Sequence, residues 1–234
     1  MLPFLDTHTH ILPKMDDGAK DQSESVSLID EMLRQDVHTI CLTPHYYAYR
    51  EPVENFLSRR EKSFQAICND LDNRKISYKL GAEIYLCREL FNHNSFTELA
   101  YSETRMALIE LPFRPIENHT IEMLERFSNQ YNLRPVIAHI NRYDLFKNKK
   151  LRKRFREMGC FFQLNLEVFS EGFLKKRRAI SLLKNGEIDF LGSDCHNMRS
   201  RKPFISDPVN TLIESGFDNE IKSIYNRSLK TLKF

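Results

Sequence analysis

Tryptophan is absent from this chain, and no apolar run approaches the roughly 18–20 residues of a membrane-spanning helix. Glycine occurs 7 times in 234 residues and proline 9 times, too few for a collagen-like or low-complexity chain. The five cysteines (Cys41, Cys68, Cys87, Cys160, Cys195) are odd in number, widely spaced and without a CxxC pair. That scatter excludes a disulfide framework and a thiolate zinc site, and it points to the reducing cytoplasm, most of these thiols acting as small buried hydrophobes. The opening residues, Met1 to Asp6, lack the features of a secretory signal. With 41% hydrophobic residues and a mean hydropathy of −0.49, the composition is that of an ordinary globular protein. There is no internal repeat or Gly/Ser/Pro linker, so one domain over residues 1–234 is expected. A chain of this length buries roughly 70% of its unfolded surface and needs no staple.

An excess of charge of one sign is also missing overall, since 35 Lys+Arg face 32 Asp+Glu. The balance conceals an asymmetry. From Arg142 to Lys202 there are 16 basic and 7 acidic residues, and the remainder of the chain is net acidic.

What the chain does contain is a recurring pattern. Short β-rich apolar runs end in a polar residue: Pro3–His8, Val37–Thr43 followed by His45, Ile76–Glu83, Met106–Glu110, Pro135–His139, Cys160–Asn165 and Ile188–Asp194. Helical stripes lie between them, with Val26, Ile29, Met32 and Leu33 in the first. Phe56, Phe64, Ile67, Cys68 and Leu71 form the second, and Ile121, Leu124 and Phe127 the third. Ser23 is placed to start the first helix. The runs recur about every 30 residues, the length of a βα unit, and their continuous apolar character fits a parallel sheet covered on both faces. About seven units predict an α/β fold, a closed or nearly closed barrel whose active site lies at the C-terminal strand ends, where the polar residues fall.

Five of the eight histidines follow strand-like runs: His8, His10, His45, His139 and His196. Asp17, Glu83, Glu110 and Asp194 complete the set. His8-Thr9-His10 places two imidazoles on the same side of an extended chain. An ionisable group at the end of an apolar run is costly to bury unless it is paired or metal-bound. Mixed imidazole and carboxylate ligands suit Mn²⁺, Fe²⁺, Mg²⁺ or Zn²⁺, and nine such groups exceed the needs of one ion, so two or three are expected. Such clusters serve phosphoester hydrolysis by activating water and stabilising the attacking and leaving oxygens.

In order, Asp6-Thr7-His8-Thr9-His10, Asp16-Asp17-Gly18, Thr43-Pro44-His45, Gly81-Ala82-Glu83, Ile109-Glu110, Ala138-His139-Ile140-Asn141-Arg142-Tyr143 and Ser193-Asp194-Cys195-His196 resemble the motifs of the PHP (polymerase and histidinol phosphatase) superfamily. Within it, the chain is similar to the bacterial manganese-dependent protein-tyrosine phosphatases of capsule and exopolysaccharide clusters. The resemblance implies a distorted (β/α)₇ TIM-like barrel with a trinuclear site. It makes His8, His10, Asp17, His45, Glu83, Glu110, His139, Asp194 and His196 the metal ligands. Arg142 and Arg201 become the phosphate-binding residues, and a guanidinium fork does match phosphate oxygens. The implied substrate is a phosphotyrosine protein, in the family a bacterial tyrosine kinase. One departure stands out, because Asn141 occupies the place where the family commonly has Glu, removing a carboxylate that would orient Arg142 or a water.

Cys195 through Arg201 also matches the C-x₅-R pattern of cysteine phosphatases, but the stretch lacks the glycines and small residues that let backbone N–H groups wrap a phosphate. The basic run Lys147–Arg156 reads first as a solvated helix face, then as a surface for an acidic phosphoprotein tail or the inner membrane leaflet, with nucleic acid not expected. Tyr46, Tyr47 and Tyr49 are candidates to line a slot for a phenyl ring. The rival readings are another PHP phosphoesterase, acting on histidinol phosphate or nucleic acid, an amidohydrolase, whose bridging lysine no strand end supplies, and a regulatory module, which would have lost ligands.

Overall fold

A computed structural model describes residues 4–234, so Pro3, at the head of the first predicted run, lies outside the described residues. The strands are β1 (Phe4–Thr9), β2 (Val37–Leu42), β3 (His45–Tyr46), β4 (Ser77–Leu80), β5 (Glu83–Tyr85), β6 (Met106–Glu110), β7 (Arg134–Ile137), β8 (Phe161–Asn165) and β9 (Phe190–Gly192). They pair in parallel in the orders β1-β2-β4 and β3-β5-β6-β7-β8-β9. The predicted run Val37–Thr43 is β2, followed at His45 by a separate short strand, and the run Ile76–Glu83 is split. Pro44 has no N–H to give the ladder and separates β2 from β3; Gly81-Ala82 separates β4 from β5. Backbone hydrogen bonds carry the pairing across the breaks, from Gly81 N to Leu42 O (2.9 Å) and from Glu83 N to Pro44 O (3.0 Å). The nine segments therefore occupy seven strand positions, as the spacing predicts.

The curled sheet brings its first and last strands together. Asp194 N donates to His8 O and His10 N to Cys195 O, both at 2.9 Å. Along β6, Met106 and Leu108 join an inner cluster with Leu5, Cys41, Val136, Ala138 and Phe190, whereas Ala107 and Ile109 face the outer core under the helices. The period of two then puts Glu110 on the inner face, at the C-terminal end.

The helices are α1 (Gln22–Arg34), α2 (Val53–Gln65), α3 (Cys68–Asn73), α4 (Asn118–Tyr131), α5 (Lys149–Glu157), α6 (Phe173–Lys184), α7 (Ser206–Glu214) and α8 (Asp218–Leu232). α4 buries Ile121, Leu124 and Phe127, as the periodicity predicts. The second stripe is interrupted, because Ala66 and Ile67 separate α2 from α3. α1 is capped by Asp21 rather than Ser23: the Asp21 carboxylate accepts from Glu24 N at 2.9 Å, and the Ser23 hydroxyl donates to it. No helix among the described residues is long and apolar enough to cross a membrane.

Phe127 is fully buried, with the rings of Phe96 and Tyr131 at 5.7 and 5.3 Å. Phe127→Ala is expected to lower stability by about 3–5 kcal/mol, read as a reduced urea midpoint at unchanged m-value.

Candidate metal centre

The polar residues at the C-terminal strand ends meet in one cluster. Glu83, with no exposed surface, lies at its centre. Its Oε2 is 3.0 Å from His45 Nδ1, 3.1 Å from His8 Nε2 and 3.3 Å from His10 Nε2, and its Oε1 is 2.8 Å from His139 Nε2. Glu110 approaches from β6, 3.8 Å from both His45 and His139. Asp194 Oδ1 reaches His8, His10 and His196 at 3.5–3.6 Å. Asp17 is the outlier, 68% exposed at the mouth, with its carboxylate 3.6 Å from His45 and 3.5 Å from His196.

Much of this proximity is not hydrogen bonding. Glu83 Oε2, His45 Nδ1, His139 Nδ1 and His196 Nε2 are buried without a hydrogen-bond partner. An orphaned buried polar atom costs about 1–3 kcal/mol. Three of these atoms, Glu83 Oε2, His45 Nδ1 and His196 Nε2, face the cluster and suit a cation, whereas His139 meets it through Nε2. Three triads (His10, His45, His196; His8, His10, Asp194; His45, Glu83, Glu110) each hold their ligand atoms within 4.8 Å of one another. These donors fit a divalent ion that prefers nitrogen and oxygen.

Backbone strain sits at the same place. His139 (φ +30°) and Asp194 (φ +55°) both adopt the left-handed conformation just past β7 and β9. His139 N is held by Gln163 Oε1 at 2.6 Å, and Gln163 Nε2 donates to Asn165 Oδ1 at 2.9 Å. At Gly18 a Cβ would lie 2.2 Å from His10 O, so only glycine lets this loop close on the His-x-His segment.

Several residues that matter here carried no assigned role in the sequence. Asp16, the other half of Asp16-Asp17, accepts from His10 Nδ1 (2.7 Å) and from His45 N (2.7 Å), leaving His10 Nε2 to face inward. The doubled aspartate was its only signal. Asn165, fully buried, carried only the signal of a polar residue ending an apolar run, and the equally buried Gln163 had none beyond lying on a strand. The Tyr46 expectation is corrected: its ring is fully buried against Phe56, and its hydroxyl donates to Glu51 O. Tyr47 stacks on His45 at 5.3 Å, and Tyr49 and Tyr85 complete an aromatic wall. On the other side Phe113, 63% exposed, lies parallel to His139 at 5.8 Å. Tyr85 and Phe113 line a common cavity of about 700 Å³.

Arg142 and Arg201 converge on one atom, Asp194 Oδ2, each at 2.8 Å, and Asn165 Nδ2 donates to it at 3.0 Å. Arg142 also bonds Glu167 Oε1 at 3.3 Å. Glu167 thus supplies a carboxylate to Arg142, while Asn141 turns its side chain to accept from Asn165 N. Cys195 is buried, and burial pushes its thiol up to about 12, so it holds no thiolate at neutral pH.

The protonation states follow from burial and crowding. Burial and the neighbouring Glu83 charge push the Glu110 carboxyl up to about 8. Burial opposes ionisation of Glu83 and Asp194 too, but the imidazoles around each, His8 foremost, outweigh it and hold both well below the usual range. The His196 imidazole likewise keeps Asp17 low. Burial pushes His139 and His196 down, towards the neutral, ligating form; the Asp16 charge overcomes burial and raises His10, as Glu83 does for His45.

A parallel α/β barrel with a histidine–carboxylate cluster across its C-terminal mouth defines a metallohydrolase-type protein. More specifically, the chain belongs to the CpsB/CapC family of capsular polysaccharide synthesis, whose model matches residues 4–229. It is 31% identical to the tyrosine-protein phosphatase CpsB of Streptococcus pneumoniae, over 95% of each chain. It superposes with a TM-score of 0.76 and 25% identity on a chain from the crystal structures of YwqE from Bacillus subtilis and CpsB from Streptococcus pneumoniae, described as metal-dependent tyrosine phosphatases; the match covers 97% of this chain and 94% of that one. At the level of fold alone it matches the phosphotriesterase homology protein of Escherichia coli, with a TM-score of 0.59, 10% identity and 98% of each chain covered.

Ligation through Glu110 would require loss of its proton, so the affinity for a divalent probe ion such as Mn²⁺ is expected to rise as pH rises toward 8 and to gain less beyond it from this group. Calorimetry in buffers of unequal ionisation enthalpy should show proton release on Mn²⁺ binding at pH 7, reduced in Glu110→Gln.

Proposed function

We propose that this chain is a metal-dependent protein-tyrosine phosphatase, a single domain over residues 1–234, that removes phosphate from a bacterial tyrosine kinase controlling capsule or exopolysaccharide synthesis. The observation that carries the reading is the division of Asp194: Oδ1 faces three imidazoles of the metal cluster and Oδ2 faces two arginines. A cation site and an anion site therefore share one wall. The tyrosine-phosphatase names of CpsB and YwqE support the same chemistry. The five cysteines are all free, which supports a cytoplasmic setting.

His8, His10, Asp17, His45, Glu83, Glu110, His139, Asp194 and His196 hold the cations, which we take to be two or three Mn²⁺ ions. Bound there, divalent cations supply Lewis acidity, lowering the pKa of water and neutralising phosphoryl charge. Asp16 fixes the His10 ring so that Nε2 points at the cluster. Arg142 and Arg201 have N–H donors beyond those spent on Asp194, and these take the non-bridging phosphate oxygens as charge builds. The phenyl ring lies in the cleft between the Tyr47–Tyr49–Tyr85 wall and Phe113. A phenoxide of pKa about 10 leaves with less protonation than an alkoxide needs.

With Mn²⁺, a phosphotyrosine peptide should be hydrolysed far faster than histidinol phosphate or an oligonucleotide. EDTA should abolish the activity, Mn²⁺ should restore it, and Cys195→Ser should leave it intact; loss in Cys195→Ser with EDTA-resistant turnover overturns the reading. Arg201→Ala should lower kcat/KM about a hundredfold or more. Phe113→Leu should raise KM for the phosphotyrosine peptide with kcat largely kept.

A further inference from the structure

Part of the basic excess is spent internally. Arg152 is buried and bonds Glu187 and the Leu145 carbonyl, Arg156 bonds Asp189, and Arg154 donates to Asn118. The run Lys147–Arg156 is therefore not a uniformly free cationic face. The unpaired cations gather at the start of this run, where Lys147, Lys149 and Lys150 are all exposed, and in α6, where Arg177 is exposed and Lys176 half-buried. Lys147, Lys149 and Lys150 at the start of α5 form no ion pair among the described residues, and nor do Lys176 and Arg177 in the first turns of α6. A cleft of about 550 Å³, lined in part by Lys147, Phe146, Glu171 and Lys175, joins the two helix starts to Arg142 at the mouth of the site. Of the acidic groups lining this cleft, Glu171 pairs with Lys175 and Glu167 with Arg142, which leaves Asp144 against the surrounding cations.

At the tip of this cationic surface stand Phe173 and Leu174, 75% and 77% exposed, the most exposed large apolar side chains among the described residues. Adjacent exposed apolar residues require an explanation. We propose that this tip is a peripheral membrane-docking site, with Phe173 and Leu174 entering the headgroup region of an anionic lipid surface while Lys149, Lys150, Lys176 and Arg177 contact its phosphates. Two features favour lipid over a protein occupant. The pair protrudes with more than two-thirds of its surface free beside a wide-open hollow lined by Glu171, Gly172 and Lys175, and cations flank it, so its apolar tip and positive rim match the interface and headgroups of an anionic bilayer. A second copy of the chain offers a poor counterpart, because Tyr49 and Phe234, exposed elsewhere, already sit beside Arg50 and Lys79, and Phe113 adjoins Arg114. With no helix able to span a bilayer among the described residues, the contact is interfacial, and each cation near an anionic surface contributes about fivefold to partitioning.

The test is sedimentation of the full chain with phosphatidylcholine vesicles, with and without phosphatidylglycerol, at low and high salt. Binding is expected only to the anionic vesicles and should weaken with salt. Phe173→Ser/Leu174→Ser should reduce it at least about tenfold, as should Lys176→Glu/Arg177→Glu. Both variants should keep wild-type turnover of a soluble phosphotyrosine peptide, which shows that they are folded. Absence of anionic-vesicle binding, or binding unchanged in either variant, overturns the proposal. So does light scattering that shows a wild-type dimer dissociated by the Phe173/Leu174 change, or displacement of the tip from vesicles by a soluble acidic peptide.

Discussion

The cluster at the barrel mouth depends on keeping the Glu83 carboxylate charged where no water reaches it. A buried carboxylate normally takes up a proton. Glu83 does not, because imidazoles from three separate strand ends, those of His8 and His10, His45, and His139, surround it. Those imidazoles are in turn held by the fold: His10 by Asp16, and the His139 backbone by Gln163. The neighbouring Glu110 has no comparable compensation and is pushed towards its neutral form. A cluster that gathers this many buried imidazole and carboxylate donors suits a multivalent cation.

The same economy appears at Asp194. Its left-handed backbone lets its N–H close the barrel onto His8 while its carboxylate separates two environments, imidazoles on one oxygen and guanidinium groups on the other. Arg142 and Arg201, 59 positions apart in the chain, become neighbours through this one atom. Glu167, from the segment following β8, meets Arg142, and Asn141 caps a backbone amide. Arg142 meets a carboxylate from another strand end, which no reading of the His139–Tyr143 motif alone reveals.

The seven strand positions were legible because buried parallel strands must be continuously apolar, and the spacing of βα units is set by helix length. The break at Gly81-Ala82 was less so, since small apolar residues carry the run on to Glu83. The polar strand ends were visible because charge after an apolar run is rare without a purpose. Asn165 was visible as a polar strand end but without a role, and Asp16 and Gln163 were not visible at all: a short polar residue is chemically ordinary until its partner is known, and His10 and the His139 backbone lie on other segments. The tyrosine slot was read only in part, because the alternation of neighbouring side chains sends Tyr46 into the core while Tyr47 faces the site.

The sequence by itself determined the element types, the parallel α/β class, the histidine and carboxylate inventory and the strand ends on which it falls, since these depend on local composition and periodicity. Tertiary structure alone decided which oxygen of Asp194 meets metal-type ligands and which meets arginine, that Phe113 rather than Tyr46 faces the site, and which cations of the basic half remain free. Each of these depends on contacts between residues far apart in the chain. Such contacts are set by barrel closure and by the direction of individual side chains, and neither is written in any short stretch of sequence.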